Sequence, residues 1–299
     1  MKPSDRPGEA HLAFVQTPNA ADLDLLAEAE AGDVPHGFMF QELAELQEEL
    51  KLRAVETVPF HPSDLGAVQD SLPSPDVFVA CDLGVGWRLL EKLGIENRMA
   101  GSYPSALSDL FHRRTWQAPR QELAASRQIG LQPVFVKPCR FRAFENCRFS
   151  GRIVETLAAL DAVHPSLAQE PFFCSEVVGW LSEYRCYILR SRILGIHPYR
   201  IAGVPVYRLD CSQLEALKPE LRPAGDFVQL AIQRLEEAGQ SVAGYCLDFG
   251  LTSLGEMSFI EMNDGLALAN YGISSADYLD LHMARWRELM EECRPARDR

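Results

Sequence analysis

The sequence lacks three features that would each commit it to a class of function. It has no cysteine or histidine pairs at metal-ligand spacing, no excess of basic charge, and no apolar run of membrane-spanning length. The eight cysteines (Cys81, Cys139, Cys147, Cys174, Cys186, Cys211, Cys246 and Cys293) are scattered, never arranged as C-x-x-C, and mostly lie in apolar strand-like runs. They read as reduced, packed thiols. The seven histidines are equally dispersed, so a structural zinc site is not expected. Lys and Arg total 29 against 42 Asp and Glu, a net charge of -13, which argues against nucleic acid or an anionic membrane as partner. Any anion must therefore be held locally. The polar segment Met1 to Ala10 has no apolar core of the signal-peptide kind, and the expected compartment is the cytoplasm, with no membrane association.

Internal repeats, low-complexity tracts and any Ser/His/Asp or Cys/His set are also missing. The pair Gly84 and Gly86 lacks the third glycine of a dinucleotide fingerprint, because Arg88-Leu89 stands in its place. These glycines read as turn and packing residues, between a strand and a helix expected over Trp87 to Leu93.

What is present is an ordinary globular composition, 47% apolar and 24% charged over 299 residues, enough for two domains with their own cores. Residues 1–10 read as a loose tail. Ala13 to Gln16 reads as a buried strand, followed by a turn at Pro18-Asn19 and an acidic helix. Leu43, Leu46 and Leu50 give a second helix, Gln41 to Lys51, a one-sided apolar face. Val77 to Ala80 is a further strand. A boundary near residue 110 separates this α/β unit, 11–110, from a second unit, 111–293, divided at about 174–175. The second unit should hold a strand Val134 to Lys137, a helix Gly151 to Ala162 and a strand Phe172 to Val178. Two hairpins follow (Glu183 to Arg190 with Ile193 to Arg200, and Tyr245 to Phe249 with Met257 to Asn263), along with helices Phe227 to Ala238 and Ala276 to Glu291.

The chemistry gathers on these strands. In Phe259-Ile260-Glu261-Met262-Asn263-Asp264-Gly265 the two-residue period puts Glu261 and Asn263 on one face and Ile260 and Met262 on the other. Asp248 alternates with Tyr245, Leu247 and Phe249, a lone carboxylate among apolar or small neighbours that needs a cation. Asp, Glu and Asn on paired strands form a hard-oxygen set suited to Mg²⁺ and phosphate. The plainer possibility is a structural network of carboxylates and arginines. Glu183 and Arg185 share a strand face, Arg200 closes the partner strand, and Lys137 sits at a strand end before Pro138. Cations gathered in one cleft need anions between them.

In this order the pieces resemble the ATP-grasp superfamily, and within it the ligase clade named for two arginines and one lysine. They are Tyr103-Pro104-Ser105, Val134 to Pro138, Phe149-Ser150-Gly151, Ser175 to Val178, Glu183-Tyr184-Arg185, Tyr199-Arg200, Asp248 and Glu261 to Gly265. The resemblance implies an ATP-grasp fold of two α+β subdomains, preceded by a Rossmann-like α/β domain. It implies ATP with Lys137 on the α- and β-phosphates, Glu176, Val177 and Val178 at the adenine edge, and Glu183 on the ribose. Arg185 and Arg200 would hold the γ-phosphate and the nascent acyl phosphate, and Asp248, Glu261 and Asn263 would bind Mg²⁺. The activity implied is ligation of a small-molecule or peptide carboxylate to an amine, with ADP and phosphate released. A nucleotide-responsive module without turnover and an ATP-dependent phosphotransferase are the alternatives. Many ATP-grasp enzymes carry a glycine-rich phosphate loop after the lysine strand. The loop here, 139–148, has none, and Arg140, Arg142 or Arg148 would have to replace its backbone donors. Arg113 and Arg114 are the candidates for a further nucleotide cation, and the first 110 residues should supply the acceptor side of the cleft.

Overall fold

The apolar runs become strands of three separate sheets. The computed structural model describes residues 10–17, 36–74, 76–95, 103–125, 132–138, 151–155, 171–206 and 221–292. The loop 139–148, the helix expected after Pro18-Asn19 and most of the expected tail lie outside these residues.

The first sheet is parallel, with β2 (Glu56–Phe60), β1 (Leu12–Gln16) and β3 (Val77–Ala80) in that order. Parallel strands are buried on both faces, which accounts for the unbroken Val-Phe-Val-Ala of β3. Helix α1 (His36–Leu52) buries Leu43, Leu46 and Leu50 against it, the face read from their spacing. Helix α2 (Leu65–Asp70) follows β2. Helix α3 (Leu83–Lys92) begins four residues earlier than expected because Asp82 caps it, accepting from the Val85 N–H at 2.9 Å. Gly84 and Gly86 therefore lie inside a helix and not in a turn. A Cβ on Gly86 would sit 3.0 Å from Leu266, so its role is close packing. Ala10, expected in the tail, is buried against this core.

The second sheet is antiparallel, ordered β4 (Thr115–Pro119), β7 (Pro171–Glu176), β5 (Val134–Pro138) and β6 (Arg152–Val154). One expectation changes here, and one segment was not anticipated. Thr115–Pro119 and the short α4 (Arg120–Ala125) carried no clear periodicity, and residues 152–154 pair with β5 as a strand where a helix was expected from Gly151.

The third sheet is antiparallel, ordered β10 (Val204–Pro205), β9 (Arg192–Ile201), β8 (Trp180–Leu189), β11 (Gly244–Thr252) and β12 (Met257–Asp264). Its two faces differ in chemistry. Tyr184, Cys186, Ile188, Tyr245, Leu247 and Phe249 point to the face covered by Val228, Ala231, Ile232 and Leu235 of α5 (Gly225–Glu237). Burial of each such aliphatic side chain stabilises by about 1.5–3 kcal/mol. The opposite face carries Arg185, Asp248, Glu261 and Asn263 at one end. At the other, Tyr187 and Cys246 pack into the core of the first sheet. Helix α6 (Ser275–Glu292) ties these layers together, with the Trp286 indole N–H donating to the Val77 carbonyl at 2.8 Å. No helix among the described residues is long and apolar enough to cross a membrane.

Candidate functional site

Register sets the site. Arg185 on β8, Asp248 on β11 and Glu261 on β12 stand directly opposite one another, one row across three adjacent strands. Asp248 is fully buried, and the guanidinium of Arg185 grips it with two parallel bonds of 3.0 and 2.8 Å. The cation that the lone carboxylate required is therefore its strand neighbour. Burial raises the Asp248 carboxyl above its usual value, and Arg185 opposes that rise. Glu261 is met from the second sheet, where buried Lys137 places its ammonium 2.5 Å from one carboxylate oxygen. Burial works to raise this carboxyl too, but Lys137, Asn263 and Arg185 together bring it down to about 2. Asn263 bridges the two acids, its amide N–H₂ donating to Asp248 at 3.1 Å and to Glu261 at 3.0 Å.

Aromatic rings line this cluster. Tyr103 lies 4.5 Å from the Lys137 ammonium, and Tyr199 and Tyr271 lie 5.6 and 5.3 Å from the Arg185 guanidinium. A bulge between Glu183 and Tyr184 on the β8–β9 ladder lets two successive β9 residues reach Glu183. The Tyr199 hydroxyl donates to it at 2.9 Å, and Arg200 pairs with it at 3.5 Å. Burial raises the Glu183 carboxyl, against the pull of Tyr199 and Arg200.

The structure thus brings Lys137, Arg185, Asp248, Glu261 and Asn263 into one hydrogen-bonded network, with Glu183 and Arg200 beside it. Glu176 ends β7 and Val177 and Val178 follow it, with Glu176 and Val177 exposed. There the Glu176 carboxylate accepts from the Arg114 backbone N–H at 3.0 Å, and Val177 is 40% exposed. Among the described residues no group of three or more His, Cys, Asp or Glu side chains is gathered as a metal site. The oxygen set is two carboxylates and an amide.

The structural partners of other residues escaped the sequence reading. Arg113, considered as a nucleotide cation, donates to the carbonyls of Phe259 and Ile260 at 2.6 and 2.8 Å and so fixes the strand that presents Glu261. The Arg114 guanidinium lies over the Trp116 ring at 4.7 Å. Asp264, next to the bridging Asn263, is held by two bonds of 2.9 Å from the buried Arg285 of α6. Gly265 follows where a Cβ would come within 2.4 Å of the Gly244 carbonyl, so the turn out of β12 requires glycine. Only the short polar runs around these residues marked them, and their partners are remote in sequence.

The profile of the ATP-grasp domain, R2K clade family 2, matches residues 110–281, more than half of the chain. No curated protein sequence matches. Among solved structures, D-alanine–D-alanine ligase from Bacillus anthracis, complexed with ATP, superposes with a TM-score of 0.53 at 14% identity, covering 95% of this chain and 99% of its own. The ADP complex of N5-carboxyaminoimidazole ribonucleotide synthetase superposes with a TM-score of 0.51 at 12% identity, covering 93% of this chain and 77% of its own. At these identities the likeness is one of fold, the mixed α+β arrangement of separate sheets.

Proposed function

The chain belongs to the ATP-grasp domain family, R2K clade family 2, and from that premise we propose that it is an ADP-forming ligase. In this reading it activates a carboxylate as an acyl phosphate and passes it to an amine. The observation that carries the proposal is the row in which Lys137, Glu261, Asp248 and Arg185 neutralise one another between two sheets. Two cations and two carboxylates in a protected cleft can trade partners without any net change of charge. Phosphate oxygens would take Lys137 and Arg185, and the carboxylates would turn to a divalent cation.

Two carboxylates and an amide, oriented by the Asn263 bridge, have the hard-oxygen chemistry that suits Mg²⁺, which completes its shell with water and phosphate. Asp248, Glu261 and Asn263 would hold it, and bound there it would supply neutralisation of phosphate charge. Lys137, already desolvated and aimed by Glu261 and Tyr103, is placed to hold the α- and β-phosphates. Arg185 and Arg200 border the site where the acyl phosphate would form, and their fixed charge favours the more anionic transition state. Glu183 is assigned the ribose hydroxyls, and Glu176 to Val178 the adenine edge. The nucleotide-binding part is assigned to 111–293, divided at about 174–175, with 11–110 as the domain that precedes it. The proposed compartment is the cytoplasm.

Calorimetric titration with Mg-ATP tests this directly. Wild type is expected to bind, and the variant carrying Asp248→Asn with Glu261→Gln, checked to be folded, is expected to lose binding. An ATP-dependent acyl hydroxamate trapped with hydroxylamine would establish the acyl phosphate. ATP binding without ADP formation over a broad panel of carboxylates would leave a nucleotide-binding module instead, and a folded wild type that binds no nucleotide would end the ligase reading.

A further inference from the structure

A second concavity lies where the parallel sheet meets the turn that leaves β12. It is a half-open cavity of about 200 Å³ at the carboxyl ends of the parallel strands, the edge where α/β sheets seat their ligands. Aliphatic side chains, among them Leu46, Leu83 and Leu268, form most of its wall. Its acidic residues are Glu42 and Asp82, and it has neither lysine nor arginine.

Two buried polar side chains stand in that wall with capacity to spare. Glu42, 9% exposed, receives among the described residues one bond, from the Asn270 N–H at 2.5 Å. His282, 4% exposed, donates from Nδ1 to the Leu266 carbonyl at 3.2 Å, and its Nε2 has no partner among the described residues. Burial lowers the His282 imidazole to about 4, so it is neutral at pH 7 and the bare Nε2 is an acceptor. A buried acceptor with nothing to accept asks for a donor.

The cavity is joined to the Arg185 cluster. Its wall at Leu266 to Ala269 follows directly on Asp264-Gly265. The Tyr187 hydroxyl donates to the Ala269 carbonyl at 2.5 Å and accepts from the Tyr271 N–H at 2.8 Å, and the Tyr271 ring lies over Arg185.

We propose that this cavity is the seat of the amine substrate, and that the amine is a compact aliphatic primary amine whose nitrogen bonds to Glu42 and His282 while its body fills the Leu46, Leu83 and Leu268 wall. The assignment rests on the ligase reading for its place in the reaction. An ammonium carries three donors and a positive charge, which meets the bare His282 Nε2 and draws the proton off Glu42 to pair with it; a carboxylate of the same shape meets that same Nε2 lone pair and the acid of Asp82. The cavity volume limits the body to a few carbons.

The test uses three isosteres titrated into the full chain: 3-methylbutylamine, 3-methylbutanoate and 3-methyl-1-butanol, each with and without Mg-ATP. The amine is expected to bind with a Kd of about 1 mM or tighter and to shift the His282 ring resonances. Glu42→Gln, which keeps the shape and can still accept from Asn270, should weaken it about tenfold or more. The His282 resonances report on wild type alone, so the outcome does not depend on that variant folding. Equal binding of the alcohol, tighter binding of the carboxylate, or no response of His282 to the amine overturns the proposal. Mg-ATP binding in the same samples separates the two readings. ATP without amine sinks only this assignment, and amine without ATP removes the acceptor role together with the ligase.

Discussion

Glu42 is buried and Glu261 keeps 26% of its side chain exposed, and they end in opposite charge states. The carboxyl of Glu261 is brought down to about 2, although burial pushes it up, because Lys137 sits against it and Asn263 and Arg185 assist. The carboxyl of Glu42 is pushed up to about 8 by burial, which the Asn270 N–H and the more distant Arg185 only partly offset. The cation beside Glu261, absent at Glu42 among the described residues, does most to decide which acid is ionised. The cluster is a site built to exchange charged partners, whereas the cavity waits for one cation to arrive.

Removing Lys137 breaks the comparison most directly. In Lys137→Met, Glu261 loses its cation and is left beside Asp248 with one arginine between them. Leaving a buried charge unpaired costs about 3–5 kcal/mol, so the urea midpoint at pH 7 should fall accordingly. Adding Glu261→Gln to the same chain should return most of the loss, since no charge then needs a partner. A single variant as stable as wild type would mean that Lys137 contributes nothing to the ionisation of Glu261.

The strand patterns made one half of this comparison legible and left the other hidden. Alternation along β8, β11 and β12 put Arg185, Asp248, Glu261 and Asn263 on shared faces, and the two-residue period of side chains is a local property. Register is not local. That Asp248 faces Arg185, with Lys137 reaching over from another sheet, depends on pairings between segments more than 100 residues apart for Lys137 and Glu261 (a separation of 124). The plainer reading of Asp248 as an arginine partner is what the structure contains. The edge strand of the second sheet also escaped: Arg152 to Val154 pair with β5, and three residues are too few to show a period. Glu42 could not be read at all. On its helix it looks like one more solvated acid before Leu43, and only the turn carrying Asn270, 228 residues away, buries it.

Glu42→Gln sharpens the comparison from the other side, with a smaller effect of opposite sign. The folded carboxyl, at about 8, lies above its ordinary 4.5, so its contribution to stability is fully present below 4.5 and is lost as pH rises through 8. Glu45, Arg185, Tyr271 and Tyr278 are the charged and titratable groups that act with it, and His282 is neutral across this range. Wild type and variant should unfold alike at pH 5. At pH 9 the variant should be more stable by about 2–4 kcal/mol, because it has no proton to lose. Identical urea midpoints at both pH values would show that Glu42 is ionised in the folded protein, like Glu261.

Glu183 has burial and partners pulling against each other and gives the smallest test. Burial raises its carboxyl, while the Tyr199 hydroxyl and Arg200 pull the other way. Tyr199→Phe keeps the ring over Arg185 and removes one hydrogen bond, so the expected loss is about 1–2 kcal/mol while Glu183 is ionised. Because the bond favours the charged form, its removal moves Glu183 further toward the state of Glu42. The folded carboxyl then rises further, and the loss should be largest at high pH and fade as pH falls through the raised carboxyl toward pH 4, where the wild-type bond no longer meets a charge. Urea midpoints of the two proteins at these two pH values measure it. A loss independent of pH would make the hydroxyl a packing element and leave Arg200 as the partner that sets the charge of Glu183.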